Sequence, residues 1–147
     1  MLSNLQLITW FVQMKKDQSF ISILKKITQD MICVGNQTLA ACIVKNNKVI
    51  SFGHNKNKTH PLQSKFSKHP QAIFLHAEID AIKNAVKRIG VEDLIGSTLY
   101  IVRTKKDGSE GLAKPCKGCM QAIESFNLAK VVYTSNIEDQ YQVLKRY

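Results

Sequence analysis

Two short stretches of the chain hold residues of the kind that activate water. One is His76-Ala77-Glu78, and the other is Pro115-Cys116-Lys117-Gly118-Cys119. Cys116 and Cys119 are three positions apart, so on a helix they share one face of a turn. With His76 they offer one imidazole and two thiolates, a borderline-soft donor set that suits Zn²⁺. Three protein ligands leave a fourth tetrahedral position for water, which is the catalytic arrangement rather than the structural one. Glu78, two residues beyond His76, can reach that position as a proton carrier without being a ligand. Other readings of the pieces are weaker. A C-x-x-C pair alone also fits redox chemistry, but it leaves His76 and Glu78 without a role. Cys33 and Cys42 would complete a four-cysteine structural site, yet Cys42 lies inside the apolar run Ala40-Ala41-Cys42-Ile43-Val44, where a cysteine is usually core packing.

For these residues to meet, separate elements must bring them together. Residues 76–89 predict a helix with Ala77, Ala81, Ile82 and Ala85 or Val86 on its apolar face, ended by Gly90. Pro115 stands where a second helix would begin, and Met120, Ile123 and Phe126 continue it. Both motifs therefore open helices, whose N-termini favour thiolate and hydroxide charge. Thr98–Val102 between them predicts a strand, followed by a turn at Lys106-Asp107-Gly108. Upstream, Ser3-Asn4-Leu5-Gln6 has the form of a capping box, and the spacing of Leu5, Ile8, Thr9 and Val12 predicts a helix over residues 4 to about 15. Asp17 and Ser19 offer caps for a second helix, with Phe20, Ile23, Leu24, Ile27 and Met31 on one stripe and a stop at Gly35-Asn36. Residues 39–45 and 48–52 predict a hairpin over Asn46-Asn47. Residues 53–70 predict a long basic loop punctuated by Pro61 and Pro70. Val131–Thr134 reads as a strand, and Asn136 as the cap of a last helix bearing Ile137, Tyr141 and Leu144. This order predicts a mixed sheet with helices on both faces.

The 147 residues suit one domain, and 44% hydrophobic residues suffice for a core without disulfides. With 7 Gly and 3 Pro, the composition excludes collagen-like and disordered classes. No run is long enough to span a bilayer. The apolar stretch Leu5–Met14 has no preceding basic residue and is interrupted by polar ones, so it makes a poor signal peptide. The expected compartment is the cytoplasm, where thiols stay reduced. The net charge of +10 is unevenly spread. Residues 45–76 contain six lysines, all four histidines and no acidic residue. Arg103, Lys105, Lys106, Lys114 and Lys117 form a second cluster, diluted by Asp107 and Glu110. Single lysines here read as solvated side chains, but the field as a whole reads as an attraction for phosphate.

The chain resembles the cytidine and deoxycytidylate deaminase superfamily over roughly residues 20–135. The resemblance rests on Ala41-Cys42-Ile43-Val44, Gly53-His54-Asn55, His76-Ala77-Glu78, Thr98-Leu99-Tyr100, Pro115-Cys116-x-x-Cys119 and Val131-Val132-Tyr133. The combined H-x-E and P-C-x-x-C pattern is the signature of zinc deaminases. The resemblance implies a cytidine deaminase-like α/β fold, a three-layer α/β/α sandwich with a mixed sheet of about five strands. It implies a single deaminase domain over residues 1–147, with residues 1–18 as an additional N-terminal helix. It also implies Zn²⁺ on His76, Cys116 and Cys119, with Glu78 as proton shuttle. Asn55 would hold sugar or base at the pocket mouth, and the Ala77 carbonyl would accept from the exocyclic amine. The loop from Val102 to Pro115 is longer than is usual in the family and is basic, and the loop after Asn55 has no clear counterpart.

The chemistry expected is hydrolytic deamination. The leading substrate is a cytosine nucleotide such as dCMP, its 5′-phosphate met by the basic loops, Lys56 and Lys58 among them. The alternative is cytosine or adenine in single-stranded DNA or RNA. The basic loops hold few aromatics for stacking bases (Phe52, Phe66 and Phe74, then Tyr100), which favours the mononucleotide. A third reading is a non-catalytic zinc-stabilised binding module, which leaves Glu78 unexplained. The partners expected are thus a small-molecule nucleotide, with nucleic acid as the alternative, and no membrane; self-association into a homo-oligomer is compatible with the sequence.

Overall fold

In a computed structural model of the chain, residues 1–31, 38–56, 58, 60–66 and 74–145 are described. The elements run α1 (Asn4–Met31), β1 (Thr38–Lys45), β2 (Lys48–His54), α2 (Pro61–Phe66), α3 (Ala77–Leu94), β3 (Thr98–Thr104), β4 (Glu110–Gly111), α4 (Lys117–Ser125), β5 (Lys130–Thr134) and β6 (Tyr141–Lys145). Among the described residues the sheet has six strands, in the order β2-β1-β3-β5-β6 with the two-residue β4 attached to β3. The β3–β5 pair is parallel, and the other pairs are antiparallel. A parallel pair needs a crossover, and α4 provides it. The expected mixed sheet between helices is found.

The central strands are apolar along their whole length because both faces are covered. Side chains alternate between two cores. Ala41, Ile43, Leu99, Ile101, Val131 and Tyr133 pack with Ile79 and Ile82 of α3 and Ile123 of α4. Ala40, Cys42, Val44, Tyr100, Val102 and Val132 pack on the opposite face with Ile21 and Leu24 of α1. Cys42 is therefore core, and burial pushes its thiol up to about 12. Cys33 and the stop expected at Gly35-Asn36 lie outside the described residues. The hairpin turn is as expected, with Asn46 and Asn47 both at positive φ (52° and 63°), the type I′ requirement.

Three expectations are corrected. The two N-terminal helices are one continuous helix. The expected break around Asp17 is absent because that carboxylate is buried. It accepts from Tyr100 Oη at 2.5 Å and from Lys130 Nζ at 2.8 and 3.0 Å. Ahead of Asp17 the helix leaves Leu5, Ile8, Trp10 and Phe11 exposed; the capping box does form, with reciprocal Ser3 and Gln6 bonds of 2.7 and 3.2 Å. The last helix is instead strand β6, paired along β5. Tyr141 packs on one core and Leu144 on the other, the two-sided alternation of a strand. The basic loop contains the short helix α2, and Pro61 stands at its first position. Gly90 does interrupt α3, at φ 81°, but helix resumes as far as Leu94. Among the described residues no helix is long and apolar enough to cross a membrane.

Candidate metal centre and cleft

His76 is the N-cap of α3, and Cys116 is the N-cap of α4. The two helix starts converge at one end of the sheet. His76 Nδ1 lies 3.2 Å from Cys119 Sγ and 3.7 Å from Cys116 Sγ, and one ligand atom from each of the three residues lies within 4.8 Å of the others. Zn–N and Zn–S bonds of about 2.0 and 2.3 Å at a tetrahedral angle put nitrogen and sulfur roughly 3.5 Å apart. The observed spacing fits that figure, so these residues form a group positioned to bind a metal ion.

The electrostatics agree. Hydrogen bonds from Cys119 and His76 pull the Cys116 thiol down to about 3. Cys119, donating to Cys116 and buried, is pushed the other way. Two thiolates side by side repel, and a divalent cation between them removes the obstacle to ionising both. The Cys116 sulfur raises His76, while burial opposes it. Both sulfurs lie at the positive end of α4, where the Cys119 amide points at Cys116 Sγ.

Glu78 is 4% exposed and lies outside the ligand group. Burial raises its carboxyl, against the lowering effect of its backbone hydrogen bond and of His76. It lines a cavity of about 280 Å³ with Asn55, His76, Ala77, Arg103 and Cys116. This cavity shares Asn55, His76 and Arg103 with a wider groove of about 1040 Å³, whose rim carries Lys56, Phe74, Lys105 and Lys106. The residues expected at the site thus come together, apart from Lys58, which is exposed and not among those lining either cavity. Lys56 lines the groove, but its Nζ is 3.0 Å from Asp80 Oδ2.

The sequence reading missed two supports. Gln63 of α2 is buried, and its Oε1 accepts from the His76 amide at 2.9 Å. Pro61 was the available signal for α2. Asp80 gave no signal beyond an i,i+3 pair with Lys83, because its other partners come from β2 and the turn after it.

Residues 14–135 match the family model of the cytidine and deoxycytidylate deaminase zinc-binding region. A comparison with curated proteins finds no match. Among solved structures, the chain is similar to the dCMP deaminase of cyanophage S-TIM5 in its apo form, at 22% identity over 80% of this chain and 83% of that one, with a TM-score of 0.52. The same phage enzyme in complex with dCMP and dUMP gives 20% identity over 78% and 80%, again with a TM-score of 0.52. Acinetobacter baumannii RibD, form 2, is similar over 84% of this chain but 29% of its own length, at 20% identity and a TM-score of 0.52. At these identities the likeness is one of fold.

Proposed function

The chain belongs to the cytidine and deoxycytidylate deaminase family, a zinc-dependent hydrolytic one, and from that premise we propose that it converts dCMP to dUMP with release of ammonia. The observation that carries this reading is the small cavity of Asn55, His76, Glu78 and Cys116 opening into a basic groove. The fold neighbour solved with dCMP and dUMP supports the choice of nucleotide.

His76, Cys116 and Cys119 would hold zinc, which when bound would supply the Lewis acidity that lowers the pKa of a water from about 15.7 toward roughly 7. Glu78 takes a proton from the attacking water on its carboxylate and passes it to N3 of the cytosine ring, which leaves C4 open to attack. A C–O bond forms at C4. Glu78 then takes the proton of the new C4 hydroxyl and carries it to the exocyclic nitrogen, the C–N bond breaks as the C4 carbonyl forms, and ammonia leaves, so one water is consumed for each ammonia made. The Ala77 carbonyl accepts from the exocyclic amine, and Asn55 holds sugar or base at the mouth. Arg103, Lys105 and Lys106 attract the 5′-phosphate, with Lys56 and Lys58 adding to the field. Residues 1–147 act as a single deaminase domain, working in the cytoplasm, where its ligand thiols stay reduced.

A second reading is favoured by one observation. Phe74, 53% exposed, stands on the rim of the wide groove beside Lys105 and Lys106, as a base-stacking side chain would. On that reading the substrate is cytosine or adenine in single-stranded DNA or RNA. An ammonia-release assay over deoxycytidine, dCMP, adenosine nucleotides and short oligonucleotides decides between them. Turnover of dCMP ahead of the rest is the expected result. Turnover confined to oligonucleotides establishes the second reading, and none at all overturns both.

A further inference from the structure

Strand β2 lies unusually close to α3. A Cβ on Gly53 would stand 2.3 Å from the Ala81 amide nitrogen and 2.5 Å from the Ala77 carbonyl oxygen, so only glycine fits. At this seam Asp80 is 1% exposed and turned toward β2. Its carboxylate accepts from the His54 amide at 3.1 Å, from Lys56 Nζ at 3.0 and 3.1 Å, and from Lys83 Nζ at 3.0 Å. His54 and Lys56 are the two neighbours of Asn55, so Asp80 grips the chain on both sides of it. The turn is held elsewhere too. The Asn55 amide donates to the Leu39 carbonyl at 3.2 Å, its Oδ1 accepts from the Leu39 amide at 3.1 Å, and Lys56 and Leu75 exchange backbone bonds of 3.0 Å. Leu75 in turn precedes His76.

We infer that Asp80 is a positioning residue, which fixes Asn55 in the cavity wall relative to Glu78 two residues earlier on the same helix. A lone surface pair would not call for a buried acid with three donors. Lys83 alone, at i+3 on the helix, would pair Asp80 without any contact to β2. The bonds from the His54 amide and Lys56 are what tie helix to turn, and they flank Asn55, which among the described residues of that turn is the one that lines the cavity. The inference rests on the deaminase reading above and adds to it a residue that touches no substrate.

The test is a double-mutant cycle in the zinc-loaded full chain, with dCMP kinetics, dUMP affinity by calorimetry and zinc content as readouts. Asp80→Asn is expected to raise KM about tenfold and to weaken dUMP to a similar extent, with kcat changed much less and zinc retained. Asn55→Ala is expected to give a similar or larger loss, and the double variant is expected to be no worse than Asn55→Ala alone, because Asp80 acts through Asn55. If Asp80→Asn does not fold, Lys56→Met removes one arm of the grip and is expected to raise KM severalfold, again without adding to Asn55→Ala. Losses that multiply, or unchanged KM and dUMP affinity, would overturn the inference while leaving the deaminase reading intact. A wild-type chain that turns over no cytosine substrate removes that reading, and this inference with it.

Discussion

Among single residues, Glu78 and the two motif cysteines have separable roles. Glu78 is buried beside the ligand group without belonging to it. Glu78→Gln keeps the size and most of the hydrogen bonding but cannot carry a proton. Zinc content should stay at one per chain, while deamination falls by at least ~10²–10⁴-fold. A zinc-loaded Glu78→Gln protein with near-normal turnover would remove the proton shuttle from the mechanism. Cys119 is fully buried and sits 3.2 Å from His76 Nδ1. Cys119→Ser should lose both metal and stability, since site formation and folding are coupled, and metal analysis with a thermal melt reads both. Asp80 adds a pH signature. Burial would raise its carboxyl, but hydrogen bonds from Lys56 and Lys83 hold it below the ordinary carboxylate range. Its stabilisation is then complete above the unfolded value of about 3.9 and is lost as pH falls through the lower folded value. The stability gap between wild type and Asp80→Asn, from urea midpoints, should be constant near neutrality and shrink below pH ~4.

The elements deliver these residues through two seams. The first is β2 against α3, where Ser51 Oγ donates to the Ala81 carbonyl at 2.7 Å and Gly53 permits backbone contact. Gly53→Ala must push β2 off the helix that carries Glu78, and overpacking of this kind costs about 1–3 kcal/mol. Denaturant unfolding should show that loss, with zinc affinity less affected than nucleotide affinity. The second seam is α1 on the sheet's far face. Asp17, joined to Tyr100 and Lys130, is a polar anchor between the apolar contacts of α1 and the strands. Removing one partner of a buried pair leaves the other unpaired, so Asp17→Ala should cost about 3–5 kcal/mol. The loss should be global and leave the metal geometry alone, because α1 covers the face opposite α3 and α4.

For the whole molecule, charge is the quantity that acts at a distance. The net charge is +10, and part of the excess borders the groove at Arg103, Lys105 and Lys106. If this field draws a phosphate, replacing Lys105 and Lys106 by Gln should raise KM for dCMP more than for deoxycytidine, which lacks the phosphate. Equal effects on both would return those lysines to the role of solvated side chains. Were an oligonucleotide the substrate, its affinity would also fall steeply with salt, with a slope set by the number of phosphates neutralised.

Some of this was legible in residue order alone. The donor set follows from His76, Cys116 and Cys119, because ligand chemistry depends on residue type and local spacing. The helix starts at both motifs and the Asn46-Asn47 turn are local, governed by caps and by tolerance of positive φ. The covered sheet follows from apolar runs that only burial on two faces tolerates. What stayed hidden depends on partners far along the chain. Lys15-Lys16-Asp17-Gln18 looks like a boundary between helices, yet α1 continues because the partner of Asp17 is Lys130, 113 positions away. Tyr141 and Leu144 have helical spacing, yet they form a strand, because the open edge of β5 offers hydrogen bonds and the two side chains find cores on opposite faces. Asp80 looks like an ordinary polar position on α3, and Gln63 like part of a loop. The close approach of β2, and of α2, to the start of α3 gives each a partner from another element, and a buried polar group without partners would be too costly to keep.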